Sequence, residues 1–413
     1  MNVCGIIAEY NPFHNGHQYH LNNAKKQSEA DYTVVVMSGD FVQRGTPAIM
    51  DKYTRTEAAL RSGADLVLQL PTYYAAGSAE FFSSGAISLL DKLGVVTHLC
   101  FGSECGDVQL LSKLASIYVN EPKEFQDSLR VKLKSGLSFP VARAAALLEV
   151  YPEFSASLSV LSSPNNILGI EYIKALLKRK SSMEPLTITR SGAGYHDREL
   201  DSSFSSATAI RHAIENGISP EHLKSQIPAE ATAVYDRYFA DSKPVFLDDF
   251  SGLLYYKLLL EQDAGYSSYM DVSEDLSDRI RKNLYQFTTF SDFCNQLKTK
   301  EITYSRICRC LLHILLNIKK DTLYQYVHDL DYVPYARILG FRKSATPLLS
   351  EISKNASVPL ISKLANADKI LEGTALDMLK EDIRINDIYN SVRAGKNHSL
   401  IQNEYTKPIV IID

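Results

Sequence analysis

The sequence predicts an α/β fold with a parallel sheet in its first half and a mainly helical domain after it, and three observations carry that prediction. Apolar, β-branched runs alternate with helix-like segments from residue 1 to about residue 220, the order that builds a parallel sheet. The runs are almost continuously apolar, as strands covered on both faces are. From about residue 230 onward such runs give way to segments of helical period.

Val3 to Ala8 is the first strand and Gly16 to Ser28 a polar helix. Tyr32 to Met37 gives the second strand, Thr54 to Ser62 a helix, and Ala64 to Leu70 a third strand stopped by Pro71. Gly77 to Leu93 reads as a helix and Val95 to Phe101 as the fourth strand. Residues 120 to 150 are helical with a break at Pro140, and Ser163 before Pro164 reads as an N-cap followed by an N1 proline. Leu186 to Thr189 is a further strand ending at Arg190, and Ser205 opens a helix that ends near Gly217. Phe246 to Glu261, Thr303 to Lys319, Ala336 to Ser353 and Val358 to Asp368 read as helices. The expected division is residues 1–225 and 226–413, within the Pro- and Ser-containing stretch between Ile218 and Pro244.

Composition limits the function classes. With 413 residues, 45% of them hydrophobic and 22% charged, the chain can bury the cores of two or three domains. A net charge of −4 does not advertise a nucleic-acid partner, so any such surface must be local. Cys4, Cys100, Cys105, Cys294, Cys308 and Cys310 show no CxxC spacing; they read as reduced core thiols, and no metal site is expected. No stretch is long and apolar enough to span a membrane and none resembles a signal peptide, so a cytoplasmic location without a membrane partner is expected.

The chemistry concentrates in Tyr10-Asn11-Pro12-Phe13-His14-Asn15-Gly16-His17. A strand, a Pro-containing turn and a helix start bring two imidazoles to a place where backbone N–H groups point outward, which suits phosphate. His14 in the entry turn and His17 in the first helical turn can flank one phosphoryl group, and Gly16 lets a nucleotide approach the backbone. Two surface histidines beside a turn are the plain alternative. In parallel sheets ligands bind outside the carboxyl ends of the strands. The turns His14-Asn15-Gly16-His17, Ser38-Gly39-Asp40 and Gly102-Ser103-Glu104 can therefore face one crevice. No G-x-G-x-x-G follows the first strand and no G-x-x-x-x-G-K-[ST] occurs, against hydride transfer and a P-loop.

Further candidates follow in chain order. Asp40 is a candidate for a ribose hydroxyl or a metal and Arg44 for phosphate or a carboxylate substrate; an Asx-type turn with a surface arginine reads equally well. Lys52 and Arg55, three apart, offer one cationic face or two solvated charges. Asn165 and Asn166 in a first helical turn suit an adenine or ribose edge, or extra capping. Arg190, before Ser191-Gly192-Ala193-Gly194-Tyr195-His196, suits a triphosphate. Ser205-Ser206-Ala207-Thr208-Ala209-Ile210-Arg211 forms a second anion-binding helix start.

The His-x-Gly-His pattern resembles the signature of the HIGH-type nucleotidylyltransferases, relatives of class I aminoacyl-tRNA synthetases, and implies a Rossmann-like catalytic domain. In that family the two histidines stabilise the α-phosphate of ATP while a substrate oxygen attacks it and pyrophosphate leaves, with no covalent enzyme intermediate. Ser205 to Arg211 resembles the family's Ser-Ser-Thr-x-Ile-Arg element, with Ala207 in place of a serine. A wider set resembles the bacterial tRNA(Met) cytidine acetate ligases over essentially the full length. It comprises Glu9 to His17, Met37 to Gly45, Phe101 to Glu104, Pro164 to Leu168 and Arg190 to Tyr195. That resemblance implies acetyl-adenylate formation from ATP and acetate, then acetyl transfer to N4 of the wobble cytidine of elongator tRNA(Met), giving N4-acetylcytidine. It implies ATP contacts at Ile7, Ala8, Glu9, Tyr10, Asn11, Pro12, Phe13, His14, Asn15, Gly16, His17 and His20, at Gly102, Asn165 or Asn166, and at Arg190. Thr208 and Arg211 come from the second element. Mg²⁺ is expected with the triphosphate; acetyl-CoA and DNA are not expected.

An RNA surface must then come from local charge. Lys298, Lys300, Arg306 and Arg309 form one basic cluster, with Arg306, Arg309 and His313 on one helix face and Ile307, Leu311, Ile314 and Leu315 on another. Arg337, Arg342 and Lys343 around Gly340 form a second. A solvated helix face is the ordinary reading; beside an adenylating site, with Tyr304 and Phe341 interleaved, RNA contact is favoured. Two alternatives remain. A small-molecule adenylyltransferase of the same superfamily has no evident use for so large a helical domain. A non-catalytic tRNA-binding protein is expected to have lost a feature of the site.

Overall fold

Apolar runs from both ends of the chain meet in one sheet in the computed structural model, which describes residues 1–190 and 205–413. The strands are β1 (Val3–Ala8), β2 (Tyr32–Ser38), β3 (Phe41–Val42), β4 (Thr46–Pro47), β5 (Leu66–Leu70), β6 (His98–Ser103), β7 (Glu184–Thr189), β8 (Ala336–Arg342), β9 (Leu360–Ile361) and β10 (Val410–Ile412). The main sheet runs β10-β8-β5-β2-β1-β6-β7, with β9 also paired to β8, while β3 and β4 form a separate small hairpin. β1 is central, with Val3 to Ala8 in parallel register with Tyr32 to Met37. β8 alone among the described strands of this sheet runs antiparallel to its neighbour β5, with a register shift at Val67/Leu68.

Both faces are covered, so successive residues of a strand enter different cores. Val34 and Val36 face the core shared with the helices Ala79–Lys92, Pro164–Arg179 and Tyr304–Leu316. Val35 and Met37 face the core under α1 (Asn15–Gln27), α2 (Lys52–Arg61) and the helix Ala229–Asp241. Double coverage is why the strands lack a polar face and why alternation was not their signal.

The second half is mainly helical, yet it does not stand apart from the sheet. Two expected helices are in part strands. Within Ala336 to Ser353 the first seven residues form β8, and only Thr346–Asn355 is helical; within Val358 to Asp368 lie β9 and a short 3-10 turn, Leu364–Lys369. Ala336-Arg-Ile-Leu-Gly-Phe-Arg is a short apolar run that periodicity cannot assign. Pairing with β5 on one side and β10 on the other decides it as a strand. β8, β9 and β10 thus come from the part of the chain that the sequence reading takes as mainly helical and without strands.

A buried ionic cluster fastens the chain end to α2. Lys52 and Arg55, read from sequence as a surface pair, are essentially inaccessible. Lys52 Nζ lies 2.8 Å from Glu404 Oε1 and 3.4 Å from Asp40 Oδ2. Glu404 also accepts from Arg337 and, at 2.8 Å, from the Tyr53 hydroxyl. Burial pushes the Glu404 carboxyl up, but Lys52 and Arg337 outweigh it and hold the group at about 2. Arg337 is therefore a core residue and not an RNA contact.

Two outcomes follow from that cluster. Glu404→Gln takes the paired carboxylate from buried Arg337 and leaves Lys52 with Asp40 alone, and urea titration is expected to show a loss of about 3–5 kcal/mol. Because the folded carboxyl sits below its ordinary 4.5, its stabilisation is complete above that pH and is lost as pH falls toward about 2. The stability difference between wild type and Glu404→Gln should shrink over that acid window.

Candidate functional site

The carboxyl ends of β1, β6 and β7 open onto one cleft, which the hairpin after β2 borders through Gln43 and Arg44, and the capping of α1 sets its chemistry. His14 is the N-cap of α1, and its Nδ1 accepts the Gly16 amide at 3.1 Å. In return the His14 amide donates to His17 Nδ1 at 3.3 Å. Each Nδ1 is thus an acceptor, so each neutral ring must carry its proton on Nε2. Burial depresses His14 to about 3, with Arg190 and Arg211 adding to the effect. Burial, His14 and Arg190 hold His17 well below its ordinary value, and burial with Arg190 brings His20 to about 4. The ring centroids of His14 and His17 are 3.9 Å apart. Two protons of one polarity therefore sit side by side without any net charge on the rings, donors for an anion that do not repel each other.

Three arginines enter the cleft. Arg190 extends from the end of β7, where its amide donates to Ser103 O at 2.9 Å. Arg211 lies on the helix Ala207–Glu215, donates to Asn11 O at 2.6 Å and to Thr208 Oγ1 at 3.1 Å, and thereby ties that helix to the α1 turn. Ser206 caps this helix by accepting the Ala209 amide at 3.1 Å. Arg44 reaches the cleft from the hairpin after β2. A helix N-terminus, a hydroxyl, two imidazole donors and the guanidinium groups of Arg190 and Arg211 make a seat for a polyphosphate.

The asparagine pair resolves into two roles. Ser163 occupies the N-cap position of Pro164–Arg179, but its hydroxyl donates backward to Ser159 O at 2.7 Å and caps nothing. Glu104 caps instead, accepting the amides of Asn165 and Asn166 at 3.1 and 2.8 Å. Asn166 is buried, and its Oδ1 accepts the amides of Glu104 and Cys105 at 2.9 and 3.1 Å. Asn165 lines the cleft and Asn166 braces the turn after β6.

Other expected residues separate in the same way. Ile7, Ala8, Glu9, Tyr10, Asn11, Gly16 and Gly102 line the cleft; Pro12, Phe13 and Asn15 do not. Phe13 is core, and the Asn15 amide donates to Ser225 O at 2.8 Å. Asp40 is buried, bound by the Lys52 amide at 2.8 Å and by Asn386 Nδ2 at 2.5 Å, and is not placed for a ribose or a metal. Ser191 to His196 lie outside the described residues. Gln43, Phe82, Phe101 and Tyr172 also line the cleft. Gln43 is signalled by its neighbour Arg44; the aromatics sit in apolar runs where no sequence signal separates a wall from a core.

The basic clusters are much reduced. His313 is fully buried between Met270 O and Ala76 O, each at 2.9 Å, as a core bridge. Arg309 pairs with Asp271 at 3.4 Å, Arg342 donates to Leu60 O at 2.8 Å, and the exposed Lys343 pairs with Asp413. Lys298 and Lys300 are exposed and Arg306 half-buried.

The capping geometry is open to direct measurement. ¹⁵N NMR of the imidazoles is expected to show His14 and His17 as neutral, Nε2-protonated rings from about pH 5 to 8, a range fixed by their depressed titration; a ring titrating near 6.5 contradicts it. In Gly16→Ala the new Cβ would meet His14 Cε1 at 2.9 Å, so the ring must turn and its amide cap must weaken.

Known proteins match the chain throughout. A family model described as HIGH Nucleotidyl Transferase covers residues 1–404. A Clostridium novyi protein named tRNA(Met) cytidine acetate ligase is 40% identical over 412 residues, with all of both chains covered. The crystal structure of Thermotoga maritima TmcAL in apo form I superposes with a TM-score of 0.94 at 33% identity, covering 100% of each chain. The same protein bound with alpha-thio ATP gives 0.92 at 34%, again over both full lengths. The chain belongs to the HIGH nucleotidyl transferase family and, within it, to the tRNA(Met) cytidine acetate ligases.

Proposed function

We propose that the chain binds ATP in this cleft, joins acetate to its α-phosphate, and transfers the acetyl group to N4 of the wobble cytidine of elongator tRNA(Met). The observation that carries the reading is the pair of imidazoles, each accepting a backbone amide at Nδ1 and leaving Nε2 for a ligand, beside Arg190, Thr208 and Arg211. Phosphoryl transfer asks a protein for positioning and for donors aimed at developing charge, and these groups supply both. An acetate oxygen attacks the α-phosphorus and pyrophosphate leaves with the electron pair of the broken P–O bond. The cytidine amine then attacks the acetyl carbon, AMP leaves, and the amine loses a proton.

Mg²⁺ would arrive as the counter-ion of the triphosphate, held by phosphate oxygens and water. Acetyl-CoA has no part in this scheme. No helix among the described residues is long and apolar enough to cross a membrane, and the cytoplasm, where tRNA is found, is the location we assign. For the tRNA we retain Lys298, Lys300 and Arg306, which adjoin the tip of the helical hairpin Lys123–Lys134 and Phe139–Val150: a Cβ added at Gly136 in that tip would lie 3.2 Å from Glu301.

Acetate-dependent exchange of labelled pyrophosphate into ATP tests the first half-reaction. His14→Ala and His17→Ala are each expected to lose roughly 10²- to 10³-fold in rate, the usual loss for one such donor, while circular dichroism stays native. Near-normal exchange in either variant contradicts the reading. Replacing Lys298, Lys300 and Arg306 by glutamine is expected to leave exchange intact, to weaken tRNA binding, and to reduce the slope of log affinity against log salt by up to about 2–3. Unchanged tRNA affinity removes this surface from the proposal.

A further inference from the structure

Resting on the function just proposed, we infer that Arg44, carried by the β3–β4 hairpin, is the residue that holds the carboxylate of the acyl substrate, on the side of the histidines away from the triphosphate.

The sheet order separates the cations of the cleft. β1 carries the histidine turn; β6 and β7 lie on one side of it, and β2 on the other. Arg190 follows β7, whereas Arg44 lies on the hairpin that follows β2. Arg190 and Arg211 both act on His14 and His17 electrostatically. Arg190, Arg211 and Thr208 therefore form the seat nearest the imidazoles, the place for the phosphates. An in-line displacement puts the attacking oxygen opposite the leaving pyrophosphate. With the phosphates taken toward Arg190 and Arg211, the opposite approach is the β2 side, where Gln43 and Arg44 line the cleft. A guanidinium there matches a carboxylate in a planar, two-point contact and leaves one oxygen lone pair to form the O–P bond. The bond from the α-phosphorus to the bridging oxygen breaks, pyrophosphate takes the electron pair, and no proton changes hands.

The hairpin is built to hold a side chain still. The Gln43 amide donates to Glu9 Oε1 at 3.0 Å, and the Gly45 amide to Val42 O at 2.9 Å. The Ala48 amide donates to Asp40 O at 2.9 Å, and Tyr389 OH to Ala48 O at 2.8 Å. Gly45, at φ 78°, lies directly against the backbone of the helix Tyr304–Leu316, where any Cβ would strike the Arg309 amide. Phe41 is fully buried against Phe250 and Tyr389. A surface turn with an idle arginine needs none of this bracing, whereas a group that must meet a small anion within a fraction of an ångström does.

The test is pyrophosphate exchange by wild type, Arg44→Gln and Arg44→Lys, over an acetate series at saturating ATP and an ATP series at saturating acetate, with thermal melts alongside. Arg44→Gln is expected to raise the acetate KM roughly 10- to 100-fold, the loss of one charge-assisted contact, with partial recovery in Arg44→Lys and an unchanged ATP KM. A merely structural role would move both constants. If the ATP KM rises instead, or both rise together, Arg44 belongs to the phosphate seat and the inference is overturned. If Arg44→Gln melts early, the acetate KM of Arg44→Lys decides. Absence of acetate-dependent exchange in wild type overturns the underlying function, a different result from any of these.

Discussion

One buried guanidinium holds the crevice in shape. Arg55 on α2 has no exposed surface, and its donors go to main-chain carbonyls: Met50 O at 3.0 Å, Glu9 O at 2.6 Å, Ser38 O at 3.1 Å, and Gly39 O. Glu9 opens the histidine turn after β1, and Ser38 and Gly39 open the hairpin after β2. These carbonyls lie where strands end and ladder partners run out, so a buried donor there is required. Arg55 meets several at once with a rigid fork. Asp40 at 3.9 Å supplies nearby negative charge and is itself held by Lys52. The two turns that bear the cleft's chemistry are thus registered to each other by a residue that does not line it.

With that register set, the electrostatics of the cleft follow from who is buried and who is not. Burial disfavours charged imidazoles here, and repulsion by Arg190 and Arg211 adds to the cost. The rings therefore stay neutral and act through oriented N–H dipoles, while the permanent positive charge resides on guanidinium groups that cannot lose it. Of these Arg190 is exposed and Arg211 half-buried, so a polyanion meets solvated cations first and the imidazole donors at the bottom. An arrangement with charged histidines would bind phosphate in the ground state; neutral donors gain most when charge develops on the α-phosphoryl oxygens.

How much of this could be read from residues alone depended on whether a residue's role was local. β1, β2, β5 and β6 and their helices were legible because each is a long apolar or amphipathic run with a clear stop such as Pro71, whereas the two-residue strands β3 and β4 were not. His14 and His17 were legible because strand, turn and helix start are contiguous. Ala336 to Arg342 was not, because only partners from residues 66–70 and 410–412 make it a strand. Lys52 and Arg337 were misread because sequence shows charge but not its complement, and both find theirs far along the chain at Glu404; Arg55 and His313 were misread because their partners are main-chain carbonyls, which no sequence pattern marks. Asn165 and Asn166 looked alike because only the position of Glu104 distinguishes them.

The second half of the chain also shapes the wall of the cleft. Asn386 and Tyr389 from the helix Gly373–Asn397 fix Asp40 and Ala48, Glu404 neutralises Lys52 and Arg337, and the backbone at Arg309 seats Gly45. Each of these acts on the loop between β2 and α2, the wall of the cleft opposite Arg190. If residues beyond 226 were removed, β5 would lose its antiparallel partner β8 and Lys52 and Asp40 would lose part of their surroundings together. A nucleotide seat near β1, β6 and β7 depends little on those contacts; the hairpin bearing Arg44 depends on nearly all of them. Whatever moves the helix Tyr304–Leu316 acts on Gly45 through direct backbone contact. The second half of the chain thus reaches the cleft through the hairpin that carries Arg44.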